Sequence, residues 1–143
     1  MKLDEVTLLE RKRDLAQSRR DLLALCEGAK TPIMTEFAPF EKYCGPAAWR
    51  VECVPQDFGT MVRLELAFPY RDGRGQQLRF ASCLVSRGNC VTLYTGQTAH
   101  PVALNSEEVV RAFTASQSAQ AELAFEAIVL GEPWRLERIF QSH

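Results

Sequence analysis

Residues 60–96 read TMVRLELAFPYRDGRGQQLRFASCLVSRGNCVTLYTG, and their alternation decides the fold. Val62, Leu64, Leu66 and Phe68 point one way while Met61, Arg63, Glu65 and Ala67 point the other, the period of two that a strand requires. The Arg71-Asp72-Gly73-Arg74-Gly75 cluster supplies residues that tolerate a tight reversal. A second alternating run follows, with Leu78, Phe80, Ser82 and Leu84 set against Arg79, Ala81, Cys83 and Val85. Arg87-Gly88-Asn89 then turns the chain into a third run, Cys90 to Thr95. This predicts an antiparallel meander with one apolar face, which helices must cover.

Working outward on the N-terminal side, Ala48 to Val54 sets Trp49, Val51 and Cys53 against Arg50 and Glu52. That adds a first strand before the Asp57-Phe58-Gly59 turn. Residues 29–46 carry three of the seven prolines, Pro32, Pro39 and Pro46, interleaved with Ile33, Met34, Phe37, Phe40 and Tyr43. So many aromatic and aliphatic side chains predict an ordered connector over the core, with one short helical turn near Phe40. Before it, Leu3 to Glu27 reads as a helix: Asp4 is its cap, Leu3 and Leu8 stand at staple spacing, and Gly28 is its stop. Leu8, Leu15 and Leu22 recur every seven residues and Leu25 and Cys26 extend the stripe, but Arg11, Lys12, Ser18 and Arg19 interrupt its first half. The second half is therefore expected on the domain, and the first half to project, solvated or paired with a second copy.

On the C-terminal side, a polar loop carrying His100-Pro101 is expected to precede a helix over 105–130. Asn105 with Glu108 forms a capping box and Leu104 with Val109 a staple pair. Val109, Val110, Phe113, Leu123, Ala124, Ala127 and Ile128 form its apolar face. The weak helix formers of 114–118 predict a kink or a break. Trp134 to Phe140 alternates as a fifth strand would, although Leu136, Ile139 and Phe140 also fit a helical turn; the strand is preferred. The expectation is thus one α+β domain over 1–143: an N-terminal helix (1–28), the connector (29–46), a four-stranded antiparallel meander (47–96) with 134–140 as candidate fifth strand, and a C-terminal helix (105–130).

With 143 residues, 46% of them hydrophobic and 24% charged, the chain has the makings of a core that needs no covalent staple. A net charge of −1 gives no general attraction to nucleic acid or acidic lipid. Five cysteines without a C-x-x-C pair, a charged start and no long apolar run predict a soluble cytoplasmic protein with free thiols. No metal or other cofactor is expected, since Cys83 and Cys90 fall on strands flanking a hairpin.

Tyr43-Cys44-Gly45-Pro46-Ala47-Ala48-Trp49 resembles, over its Cys-Gly-Pro-Ala-Ala core, the nucleophile segment of papain-like cysteine peptidases of the bacteriocin-processing type. The resemblance implies Cys44 as nucleophile, His100 as general base, and Asn105 or Asp57 orienting the imidazole. Against it, residues 36–43 hold no glutamine for an oxyanion hole, and the segment after Cys44 alternates like a strand where the family has a long helix. The other reading makes Gly45-Pro46 a turn and Cys44 a small buried thiol. Glu52 and Glu65 are expected to pair with Arg50, Arg63 or Arg79 across the exposed sheet face.

The expected function is therefore non-catalytic binding of another protein through the N-terminal helix and an open sheet edge, as in adaptors, secretion chaperones, immunity proteins or inhibitors, with homodimerisation. Size and mild acidity are similar to those of type III secretion chaperones, whose element order differs. The expected contact residues are Leu8, Arg11, Lys12, Leu15 and Arg19 on the first helix, with Arg71 and Arg74 at the hairpin tip. Thiol hydrolysis through Cys44 is the alternative. Nucleic-acid binding through the basic residues of the first helix is the second alternative; it is disfavoured because acids share that helix and its face reads as a solvated one laced with ion pairs.

Overall fold

The computed structural model describes the chain apart from residues 2, 58, 72, 73, 142 and 143, so Phe58 and the Asp72-Gly73 centre of the predicted turns lie outside the described residues. Five strands form one sheet in sequence order, every neighbouring pair antiparallel: β1 (Ala48–Val54), β2 (Thr60–Arg71), β3 (Gln77–Arg87), β4 (Cys90–Thr95) and β5 (Thr98–Val102). The register pairs like faces, with Val62 opposite Leu84, Leu84 opposite Leu93 and Leu93 opposite His100. Helix α1 (Glu5–Glu36) precedes the sheet, a 3-10 turn (Ala38–Phe40) and the short α2 (Glu41–Cys44) lead into it, and α3 (Ser106–Val129) and α4 (Trp134–Gln141) follow it.

The apolar face carries Val62, Leu64, Leu66, Phe68, Phe80, Leu84 and Leu93, all fully buried in one core with the C-terminal half of α1 and with α3. Phe40 is the hub of its aromatic centre, with ring centroids 5.4 Å from Phe68, 5.5 Å from Phe80 and 5.2 Å from Phe125. Such offset and edge-on pairs suit the ring quadrupoles and add to the burial of apolar area.

Several expectations are corrected. Helix α1 does not stop at Gly28 but continues to Glu36, taking in Pro32, so the first part of the predicted connector is helical. Pro32 has no N–H for the Gly28 carbonyl, yet Leu22, Cys26, Ala29 and Ile33 continue a buried stripe through it, and that burial outweighs the lost hydrogen bond. Gly28 serves packing instead: a Cβ there would stand 2.3 Å from Ser106 Oγ, the hydroxyl that donates to the Leu25 carbonyl at 3.0 Å. The missing side chain lets the start of α3 cross α1 closely.

The fifth strand is β5, built from the segment expected to be the polar loop, whereas 134–140 is helical. Pro101 is tolerated because β5 is an edge strand. In α4 the helical spacing wins, with Leu136 buried and Phe140 5.8 Å from Phe80. Helix α3 is continuous through 114–118, because that patch is polar for a tertiary reason. Gln117 Nε2 donates to the Ala81 carbonyl at 2.9 Å, and Ser116 Oγ accepts from Thr95 Oγ1 at 2.8 Å. Leu123, expected on the apolar face, is exposed, as are the staple leucines Leu3 and Leu104.

Candidate functional site

Cys44 is the last residue of α2, not the first of a helix, so no helix N-terminus faces its sulfur. It is buried, and desolvation pushes its thiol up to about 11, which keeps it protonated and unreactive at neutral pH. Gly45, with φ of 80°, makes the turn that follows, and Pro69 Cγ lies 2.9 Å from where a Cβ would be. This places Cys44 by the Pro69 end of β2. His100 stands in β5, not in a loop, in the cross-sheet row of Val62. Three strand spacings, about 14 Å, and seven residues of strand, roughly 23 Å, separate the two neighbourhoods. Asn105 caps α3, its Oδ1 accepting from the Glu108 amide at 2.9 Å, and Asp57 is exposed beyond β1. The structure does not bring the proposed nucleophile and base together.

The first-helix residues have a different setting. From Glu5 to Asp21 no residue is buried, and Leu22 is the first that is. At 1.5 Å per residue this leaves roughly 25 Å of helix outside the core. Asp4 secures its start, its carboxylate accepting from the Thr7 amide at 3.2 Å and the Thr7 hydroxyl at 2.6 Å. Those hydrogen bonds hold the Asp4 carboxyl below its ordinary range. Leu3, Val6, Leu8 and Leu9 keep 83%, 67%, 57% and 53% of their surface exposed, and Leu15 is half-buried.

A helical turn of 100° per residue sets Leu8 and Leu15 in line with the buried Leu22. Asp14 and Asp21 then fall along one flank of that line, and Lys12 and Arg19 along the other. Arg11 and Ser18 sit within it. Midway along the helix a groove of about 570 Å³ opens between Asp14, Ser18 and Asp21, the β3–β4 turn at Ser86 and Gly88, and Leu104. Among the described residues no ion pair forms inside α1, contrary to the expected lacing; Gln17 instead donates to Asp21 at 2.8 Å and accepts from Arg20 at 2.7 Å. Val6 and Leu9 extend the exposed apolar surface beyond the residues that the seven-residue spacing selects.

Arg71 and Arg74 are exposed at the β2–β3 hairpin, but both are engaged. Arg71 Nη1 donates to the Gly75 carbonyl at 2.7 Å, and Arg74 Nη2 lies 2.6 Å from Glu137 Oε1, tying the hairpin to α4. On the sheet face away from the helices, Glu65 is only 1% exposed. Its Oε2 is 2.6 Å from Arg63 Nη1 in an ion pair whose angles fall short of a hydrogen bond, and Arg79 is 3.9 Å from Oε1. Arg63 also reaches toward Glu52 at 3.9 Å. Of the expected pairing, the close contact runs along β2 and the cross-strand approaches are 3.9 Å, while Arg50 makes no ion pair among the described residues; one carboxylate lies buried beneath its arginines.

A smaller apolar groove of about 270 Å³ runs between the 3-10 turn and α3, past Phe37, Phe40, Ala121 and Phe125, with Thr114 Oγ1 buried and unpartnered at its wall. All five cysteines are free thiols. Among the described residues no helix is long and apolar enough to cross a membrane, and no cluster of three His, Cys, Asp or Glu side chains is arranged for a metal ion. No protein-family model, no curated protein and no solved structure matches this chain.

Proposed function

We propose that this chain is a non-catalytic protein-binding protein of the adaptor, chaperone, immunity or inhibitor type, and that it holds its partner along the projecting half of α1. One observation carries the reading: a capped helix runs for about 25 Å without a buried residue, and along it an exposed Leu8 and a half-buried Leu15 stand in line with the stripe that its other half buries. A helix held at one end by a packed core is a stiff arm, so docking on it costs little ordering entropy. The occupant is an amphipathic helix of another protein. It has apolar residues every three to four positions to cover Leu8 and Leu15, basic residues toward Asp14 and Asp21, and acidic residues toward Lys12 and Arg19. Free thiols suit work in a reducing compartment such as the cytoplasm.

The test is capture from a native-host lysate by the full chain and by its Leu8→Asp and Leu15→Asp variants. The reading predicts a partner protein retained by the wild type and lost by both variants, with thermal unfolding of the Leu8→Asp variant unchanged. Equal recovery on all three contradicts it. A retained species that is nucleic acid, released steeply by salt, transfers the site to the basic residues of the same helix.

A further inference from the structure

We infer that the free edge of β1 is a self-association surface, joining two copies of this chain through a two-fold axis at Val51 into one continuous ten-stranded antiparallel sheet. Among the described residues only one side of β1 is paired, with β2. Such an edge presents unpaired backbone donors and acceptors to any extended segment. The opposite edge, β5, is short and interrupted by Pro101. By contrast β1 is Ala-Trp-Arg-Val-Glu-Cys-Val, seven residues with no proline, glycine or lysine to blunt it.

The choice of occupant comes from charge. In an antiparallel pair, residues opposite one another share a face, so a strand meeting its own copy can shift register only in steps that keep faces matched. Centring the axis on Arg50 sets arginine against arginine, and centring it on Glu52 sets carboxylate against carboxylate. Centring it on Val51 sets Arg50 opposite Glu52 of the other copy, twice. Like charges directly opposite destabilise a ladder and unlike charges support it, so one register is favoured.

The neighbouring strand extends the pattern. Within one chain Arg50 is opposite Glu65 and Glu52 is opposite Arg63. Across the joint, the outer-face row therefore runs Glu65, Arg50, then Glu52 and Arg63 of the second copy, alternating in sign throughout. Arg50 is exposed and has no ion-pair partner among the described residues, and Glu52 has only the 3.9 Å approach of Arg63. On the inner face the same register sets Val51 against Val51 and Trp49 against the exposed Cys53, covering apolar surface that each chain leaves half open. The contact is isologous and closes on itself, so it gives a dimer and not a fibre.

Arg50→Glu and Glu52→Arg, made singly in the full chain, test this by sedimentation from micromolar to near-millimolar concentration. The wild type is expected to dimerise. Each variant alone places like charges on both sides of the axis and is expected to associate at least about tenfold more weakly. Mixed in equal amounts the two variants restore both opposite pairings across the joint and are expected to form a heterodimer of near wild-type affinity, which also shows that both are folded. A wild type that stays monomeric, variants that dimerise as well as the wild type, or a mixture that fails to recover would each overturn the inference. Because α1 is untouched, failure here is separate from failure of the partner-binding reading, which Leu8→Asp reports.

Discussion

Leu8→Ala and Leu22→Ala make the same chemical change at two positions in line on one helix, and their costs should differ widely. Leu22 is 1% exposed in the main core, so truncation forfeits the transfer of about three methylene equivalents, roughly 2.4 kcal/mol, and leaves a cavity. A total of about 3 kcal/mol follows. Leu8 is more than half exposed and lies outside the core, and alanine is the slightly better helix former. Its truncation should cost less than about 0.5 kcal/mol. With a urea slope on the order of 2 kcal/mol/M, Leu22→Ala lowers the midpoint by roughly 1.5 M and Leu8→Ala by less than about 0.3 M. Urea titration followed by far-ultraviolet circular dichroism measures both. If Leu8→Ala costs as much as Leu22→Ala, the first half of α1 is packed in the folded chain and the arm does not exist.

Gly45→Ala should destabilise by about 1–3 kcal/mol, because it puts a Cβ at a φ of 80° and against Pro69; Gly88→Ala, where nothing lies within 4 Å, should cost less by thermal melting. Burial raises the Cys26 thiol to about 12 and Cys44 to about 11 from an ordinary 9.0, so the native state keeps protons that the unfolded chain releases. Both contributions are intact below pH 9 and fade as pH rises through the native values, at about 1.4 kcal/mol per pH unit for each thiol. A Cys26→Ala, Cys44→Ala double variant should therefore show a shallower alkaline loss of stability than the wild type, and parallel curves would contradict the buried assignment. Glu65→Gln leaves Arg63 over a neutral group and should cost about 1–2 kcal/mol, discounted because the arginine is partly solvated. Pairing it with Arg63→Gln should recover part of that loss in a double-mutant cycle, and a purely additive result would argue against coupling.

The meander was legible because the runs from Ala48 to Thr95 alternate between turn residues, whereas the register that sets Val62, Leu84 and Leu93 in one row came only with the structure. The capped start of α1 and the division between its exposed and buried halves were legible too, since arginines interrupt the leucine spacing only before Leu22. Other features depend on tertiary partners that no local pattern contains. Gly28 has the local signature of a helix stop but is set by Ser106 packed against it, and Pro32 inside a helix makes sense only with Ile33 buried beside it. Ser116 and Gln117 looked like a break because their partners, Thr95 and Ala81, are distant in sequence. Thr98 to Val102 carries a proline and little alternation, so only the neighbouring β4 marks it as a strand. At the candidate site, Leu8 and Leu15 could be picked out by spacing. The burial of Cys44 and its separation from His100 could not, because both depend on which strands lie between them.

Hydrogen exchange on the free chain and on the chain bound to its captured partner, read amide by amide along α1, tests the central claim most directly. The account predicts weak protection over 5–21 in the free chain, strong protection over 22–36, and a rise in protection on binding that is concentrated in 5–21. Protection that rises elsewhere while 5–21 stays unchanged would contradict it.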